Sequence, residues 1–186
     1  MTSDNFEIFA ENYVWFKRSI KGPYEDASPA DLDREVQHLE ASSEPRLEHI
    51  GTLVEGWLPW KNSWERLAST IELVGYSRAK DAQGDISGTT FSLEFDFSFA
   101  LLMVLQEIDS SIKWRYQTKM KTSGSYFRPV LARPNFKRTE YVDPILLCHS
   151  TVNSAYYFGD DPSTELKETI TAACKNHLEI DLHLTE

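Results

Sequence analysis

Cysteine is nearly absent. Cys148 and Cys174 are the only two in 186 residues, too few and too far apart for a disulfide framework or a zinc knuckle. They read as reduced, buried thiols of a cytoplasmic protein. Long apolar runs are missing too. The longest, Phe99–Leu105 (FALLMVL), has seven residues, against the roughly 18 to 20 that a membrane-spanning helix needs. The N-terminal MTSDNFEIFAEN carries acids where a secretion signal carries Lys or Arg, and it has no apolar segment. The expectation is a cytoplasmic protein without membrane contact.

The short motifs of familiar chemistry are also lacking. There is no GxxxxGK[ST] or GxGxxG phosphate loop, no GxSxG elbow and no HExxH. The five histidines, His38, His49, His149, His177 and His183, include no HxxxH pair, so no helical zinc site is expected. Cys148 and His149 are neighbours, which a strand sends to opposite faces. Asp160-Asp161 reads as a loop followed by a helix N-cap. No cofactor, no metal and no catalytic constellation is therefore expected. An enzyme assembled from dispersed residues is invisible to motif reading.

Aromatics are plentiful, with ten Phe, eight Tyr and five Trp. With 41% hydrophobic and 26% charged residues, the composition is that of a globular chain, read as one domain over 1–186. Charge is unevenly spread. The formal net charge is −10, yet residues 110–139 hold eight Lys and Arg and no Asp or Glu. An acidic body repels nucleic acid at long range and steers cationic partners in.

Periodicity supplies the elements. Phe6, Phe9, Tyr13, Phe16 and Ile20 recur at helical spacing and predict a first helix ended by Gly22-Pro23. Ser28-Pro29 predicts the start of a second, through Leu32, Val36 and Leu39. The SSEP stretch from Ser42 reads as a break before a third, through Leu47, Ile50, Val54 and Trp57. Asn62 and Glu65 open a fourth, closed by Gly75. The polar stretch 77–88 reads as a loop.

From Thr89 the period changes to two. Phe91, Leu93, Phe95, Phe97 and Phe99 alternate with Ser92, Glu94, Asp96 and Ser98, which predicts a half-exposed strand. Residues 100–108 fit strand or buried helix, with strand favoured. A hairpin at Asp109–Ser111 then leads to a second alternating run. Trp114, Tyr116 and Met120 lie on its one face, and Lys113, Arg115, Lys119 and Lys121 on the other. Residues 126–132 read as an edge strand because of Pro129, and 145–158 as a further strand. A helix over about 161–178 closes the chain. The fold class is α+β, with N-terminal helices over 4–75, a meander of about four antiparallel strands over 89–158, and a C-terminal helix.

The leading functional reading is a small acidic protein that inhibits or escorts a specific protein partner. Its most concrete form is an immunity-type inhibitor of a basic bacterial toxin. The candidate contact residues are Asp31, Asp33, Glu35 and Glu40 with Trp57 and Trp60. The alternative is a small-molecule binder or enzyme with a pocket between helices and sheet. The third is an anion- or nucleic-acid-binding module using Lys113, Arg115, Lys119, Lys121, Arg128 and Arg133. Cations and aromatics lie on opposite faces of the predicted strand, which disfavours base stacking beside held phosphates.

Overall fold

Every residue from Ser92 to Leu102 is buried, and all of them belong to one helix, Gly88–Ile108. This is the first correction to the expected meander. The period-two alternation does not make a strand. In the computed structural model, which describes residues 1–81, 86–118, 121–125 and 127–184, the segment is a helix enclosed by its neighbours. The helix order is α1 (Ser3–Asn12), α2 (Pro29–Val54), α3 (Ser63–Lys80), α4 (Gly88–Ile108), α5 (Pro144–Phe158) and α6 (Pro162–Leu178). Among the described residues three short strands lie between α4 and α5: β1 (Lys113–Tyr116), β2 (Pro129–Ala132) and β3 (Tyr141–Val142). The class is α+β, but the sheet is smaller than expected.

The geometry of α4 explains its sequence. Residues two apart on a helix point about 200° apart, while residues four apart nearly coincide. Its polar residues therefore sort into two stripes on opposite sides. Thr90 meets Ser77 of α3 and Glu94 meets His149 of α5, with Ser98 one turn further along, its hydroxyl on the Glu94 carbonyl. Ser92 and Asp96 face α2 and the chain after α1. Leu93, Phe95, Phe97 and Phe99 fill the sectors between, each 2% exposed or less. Burial of each such side chain contributes about 1.5–3 kcal/mol. By composition and length α4 could cross a membrane, but 78% of its apolar window is covered by the protein.

Two predicted helices prove to be one. The serines and Pro45 do not break α2, which runs unbroken for 26 residues from a capping box of Ser28 and Asp31. A proline inside a helix costs about 3 kcal/mol, and here the stripe Leu39, Leu47, Ile50 and Val54 is buried on both sides of it. The first helix is shorter than its stripe. It stops at Asn12, and Phe16 and Ile20 lie in the irregular chain beyond. Side chains take the donors of that chain. Phe16 N–H donates to Ser92, and Ser19 and Ile20 N–H donate to Glu35 at 2.7 and 3.1 Å.

Gly75 does not end α3, which continues to Lys80. Its role is close approach: a Cβ there would lie 2.2 Å from Ser163 Oγ of α6. The predicted loop over 77–88 is thereby cut down, since Ser77 and Arg78 are buried in α3 and Ser87 caps α4. Residues 82–85 lie outside the described ones. The strand expected over 145–158 is α5, capped by Asp143 with Pro144 in its first turn. Helix α6 matches its expectation, with Asp161 accepting from Thr164 N–H at 2.9 Å.

The sheet order is β1-β2-β3, antiparallel throughout, with Trp114 opposite Leu131 and Leu131 opposite Val142. The strand expected at an edge is thus the middle one. Pro129 is tolerated because it stands at the strand's first residue. Trp114, Leu131 and Val142 face the main core, where the Trp114 ring meets Phe99 edge-on at 6.4 Å. Val130 and Ala132 face a smaller cluster with Phe136 and Tyr141.

Asp96 is fully buried and forms a two-point ion pair with Arg46 of α2, Nε to Oδ1 at 2.9 Å and Nη2 to Oδ2 at 2.7 Å. Tyr13 donates to the same carboxylate, and Arg46 also reaches the Val14 carbonyl. Removing one partner strands a buried charge, so Arg46→Met is expected to destabilise by about 3–5 kcal/mol in urea unfolding. The double variant Arg46→Met/Asp96→Leu is expected to lose less than that single. Strictly additive losses would refute the pairing.

Candidate functional site

Charges buried at three further places account for much of the polar chemistry inside. Glu35 of α2 has no exposed surface and accepts from Ser19 and Ile20 N–H, the Ser19 hydroxyl and Tyr24. It ties the irregular chain to α2. Arg78 of α3, equally buried, donates to Asn153 Oδ1 at 2.7 Å and lies 3.9 Å from the centre of the Tyr156 ring. Such a desolvated cation–π contact contributes about 2 kcal/mol. Glu94 of α4 meets His149 of α5, its oxygens 3.0 and 3.3 Å from Nδ1.

The thiols are inert by their surroundings. Burial pushes the Cys148 thiol well up, with the charge of Glu94 adding to it, and burial pushes Cys174 up to about 12. Neither offers a thiolate near neutral pH. Among the described residues no group of His, Cys, Asp and Glu could hold a metal ion.

The outer surface shows a different concentration. Large aromatics are exposed where α3 ends, α4 begins and α5 ends: Trp15 at 55%, Phe91 at 47%, Tyr157 at 66% and Phe158 at 80%. Hydrogen bonds and ring contacts bring these termini together. Thr90 of α4 donates to Asp81 beside the end of α3 at 3.0 Å, and Arg78 joins α3 to Tyr156 of α5. The Trp15 indole donates to Thr89 at 3.3 Å. Phe158 also borders a groove of about 330 Å³ between α5 and α6, with Ser154, Asp160, Glu165 and Thr169 along it. Neither Asp160 nor Glu165 is in an ion pair among the described residues.

The residues singled out from sequence fall elsewhere. Asp33 and Glu40 are exposed on α2, but Asp31 is engaged in the helix cap and with Arg34 at 2.9 Å, and Glu35 is buried. Trp57 and Trp60 stand beyond the other end of α2, a helix of 26 residues and therefore about 39 Å long. Both indoles serve α2 itself. Trp57 donates to the Leu53 carbonyl at 3.1 Å and Trp60 to that of Leu47 at 2.9 Å. A Cβ at Gly51 would lie 2.6 Å from the Trp60 ring, so glycine there lets the indole seat.

The basic island finds acids on either side of itself. Arg128 pairs with Asp143 at 3.0 Å, Arg133 with Asp109 at 2.6 Å, and Lys137 with Glu140 at 2.8 Å. Lys113 and Lys121 are exposed, and Arg115 is half-buried against the cleft that Asp33 borders. Lys119 lies outside the described residues. Among the described residues, Arg128, Arg133 and Lys137 of this stretch are therefore taken up by the protein's own acids.

One signal for the aromatic end was present in the sequence. Tyr156, Tyr157 and Phe158 are consecutive, and on a helix three such residues span about 200°, more than one buried stripe can hold. Comparison with known protein families, with curated proteins and with solved structures finds no match to this chain.

The Glu94–His149 pair sets a pH dependence. The bond to Glu94 raises His149 above its ordinary 6.5, and burial raises Glu94 above 4.5 although His149 opposes it. Both shifts are upward, so the folded state holds protons more tightly than the unfolded chain. The pair's contribution is full below the unfolded values and is lost as pH rises through the folded ones. Stability relative to the Glu94→Gln/His149→Gln variant is expected to fall as pH rises above the unfolded values of the two groups, 4.5 for the carboxyl and 6.5 for the imidazole. Parallel pH profiles of urea unfolding for the two proteins would contradict this.

Proposed function

We propose that the protein is a binding protein that docks a basic protein partner on the aromatic end of its helices, as an inhibitor or escort of that partner. A basic toxin is the most concrete candidate. The observation that carries the reading is the exposure, by 47 to 80%, of Trp15, Phe91, Tyr157 and Phe158 on elements whose ends are joined through Thr90–Asp81, Trp15–Thr89 and Arg78–Tyr156. Large rings are rarely left in water without use, and Trp and Tyr dominate interface hot spots.

Charge supports the choice of partner. The net charge is −10, and several cations of the basic island are occupied by the protein's own acids. The groove beside Phe158 offers two carboxylates, hydroxyls and a ring face, which suits a Lys or Arg side chain of the partner. The acidic field adds speed of encounter and a dependence on salt. The Trp15 indole is held against the first turn of α4 by its bond to Thr89, which reduces the ordering of that ring needed on binding.

Affinity purification from the native host with the wild-type chain and with Phe158→Asp tests the reading. The wild type is expected to retain one stoichiometric basic protein. The variant is expected to bind it at least about tenfold more weakly, since hot-spot truncations exceed ~2 kcal/mol, while melting as the wild type does. A partner that is acidic, that binds both proteins equally, or that is lacking would overturn the proposal.

A further inference from the structure

A second concavity lies at the other end of α5. It has a volume of about 310 Å³ and sits where β3, α5 and α6 meet. Its floor is apolar, made by Val142, Leu146, Leu147 and Ala173, and its rim carries Arg138 and His177. Leu146 and Leu147 are only half-buried, so apolar surface is left open beneath a cationic edge. Arg138 is exposed and takes part in no ion pair among the described residues. It stands out in a stretch where Arg128, Arg133 and Lys137 are each matched by an acid. Asp143 also borders the cavity, but its carboxylate is taken by Arg128 and by the Leu146 N–H at the cap of α5. His177 is held at the rim by the Thr139 carbonyl, 2.9 Å from Nδ1.

From this geometry we infer that the cavity between β3, α5 and α6 binds a small apolar monocarboxylate. The hydrocarbon part lies on Val142, Leu146, Leu147 and Ala173, and the carboxylate meets the Arg138 guanidinium. An apolar cavity of ~150 Å³ holds benzene, so this one takes a molecule of about ten to twelve non-hydrogen atoms. An apolar floor with one or two convergent polar groups is the usual make-up of a ligand site, and a planar guanidinium matches a carboxylate at two points. The cavity is distinct from the groove beside Phe158, although Ser150 borders both.

Titration of the protein with octanoate, followed by methyl NMR and calorimetry, tests the inference, with octanol as the neutral counterpart. Saturable binding is expected, with shifts centred on the methyls of Val142, Leu146 and Leu147. Arg138→Gln is expected to weaken octanoate at least roughly tenfold, through loss of the two-point charge-assisted contact, and to leave octanol unchanged. Because Arg138 is exposed and in no ion pair, the variant is expected to fold as the wild type does. No shift at those methyls, equal octanoate binding by wild type and Arg138→Gln, or octanol binding as tightly as octanoate would each overturn the assignment.

Discussion

Two carboxylates inside one buried helix are the constraint on which the rest of the structure depends. Glu94 and Asp96 have no exposed surface, and an isolated charge in such a place is far too costly to keep. Each must be met by a partner from another element. Asp96 draws Arg46 and Tyr13, which fixes α2 and the chain after α1 against one side of α4. Glu94 draws His149, which fixes α5 against the other. The apolar residues between them would pack in many registers. The ionic contacts choose one, and the aromatic end of the molecule follows from that choice, since Trp15 and Phe91 stand on the same two elements.

The same arrangement explains what could and could not be read in the sequence. Caps were readable because their chemistry is local: Ser28-Pro29, Asn62 and Asp161 all begin helices as expected. The segment from Thr90 to Phe99 was not. A polar residue at every second position is the mark of a half-exposed strand, but two polar stripes on opposite sides of a helix produce the same pattern. Only the partners, Arg46 and His149, distinguish the cases, and they lie 50 and 55 residues away in the chain. Pro45 and Gly75 misled for a related reason. Tertiary packing carries α2 past its proline, and the glycine serves the approach of α6 and not a helix end.

The candidate surface was partly hidden for another reason. Tryptophans attract notice in a sequence, yet Trp57 and Trp60 spend their N–H groups on the carbonyls of α2. The rings that face solvent are mostly Phe and Tyr at the ends of α4 and α5, whose exposure depends on how the ends of α3, α4 and α5 meet. The basic island likewise looked like a surface for an anion. Acids just beyond its ends, Asp109, Glu140 and Asp143, fold back onto it. An acidic body repels nucleic acid at long range, and on that ground a basic partner is proposed.

Native-state hydrogen exchange of α4 tests most directly that a helix with two opposed polar stripes is the core of the molecule. If it is, the amides from Ser92 to Leu102 exchange only through global unfolding and share one protection free energy. Their protection would then equal that of the whole fold in urea unfolding. Amides that exchange through a local opening of markedly lower free energy, or that alternate between protected and free along the segment, would contradict the buried helix and restore the half-exposed strand.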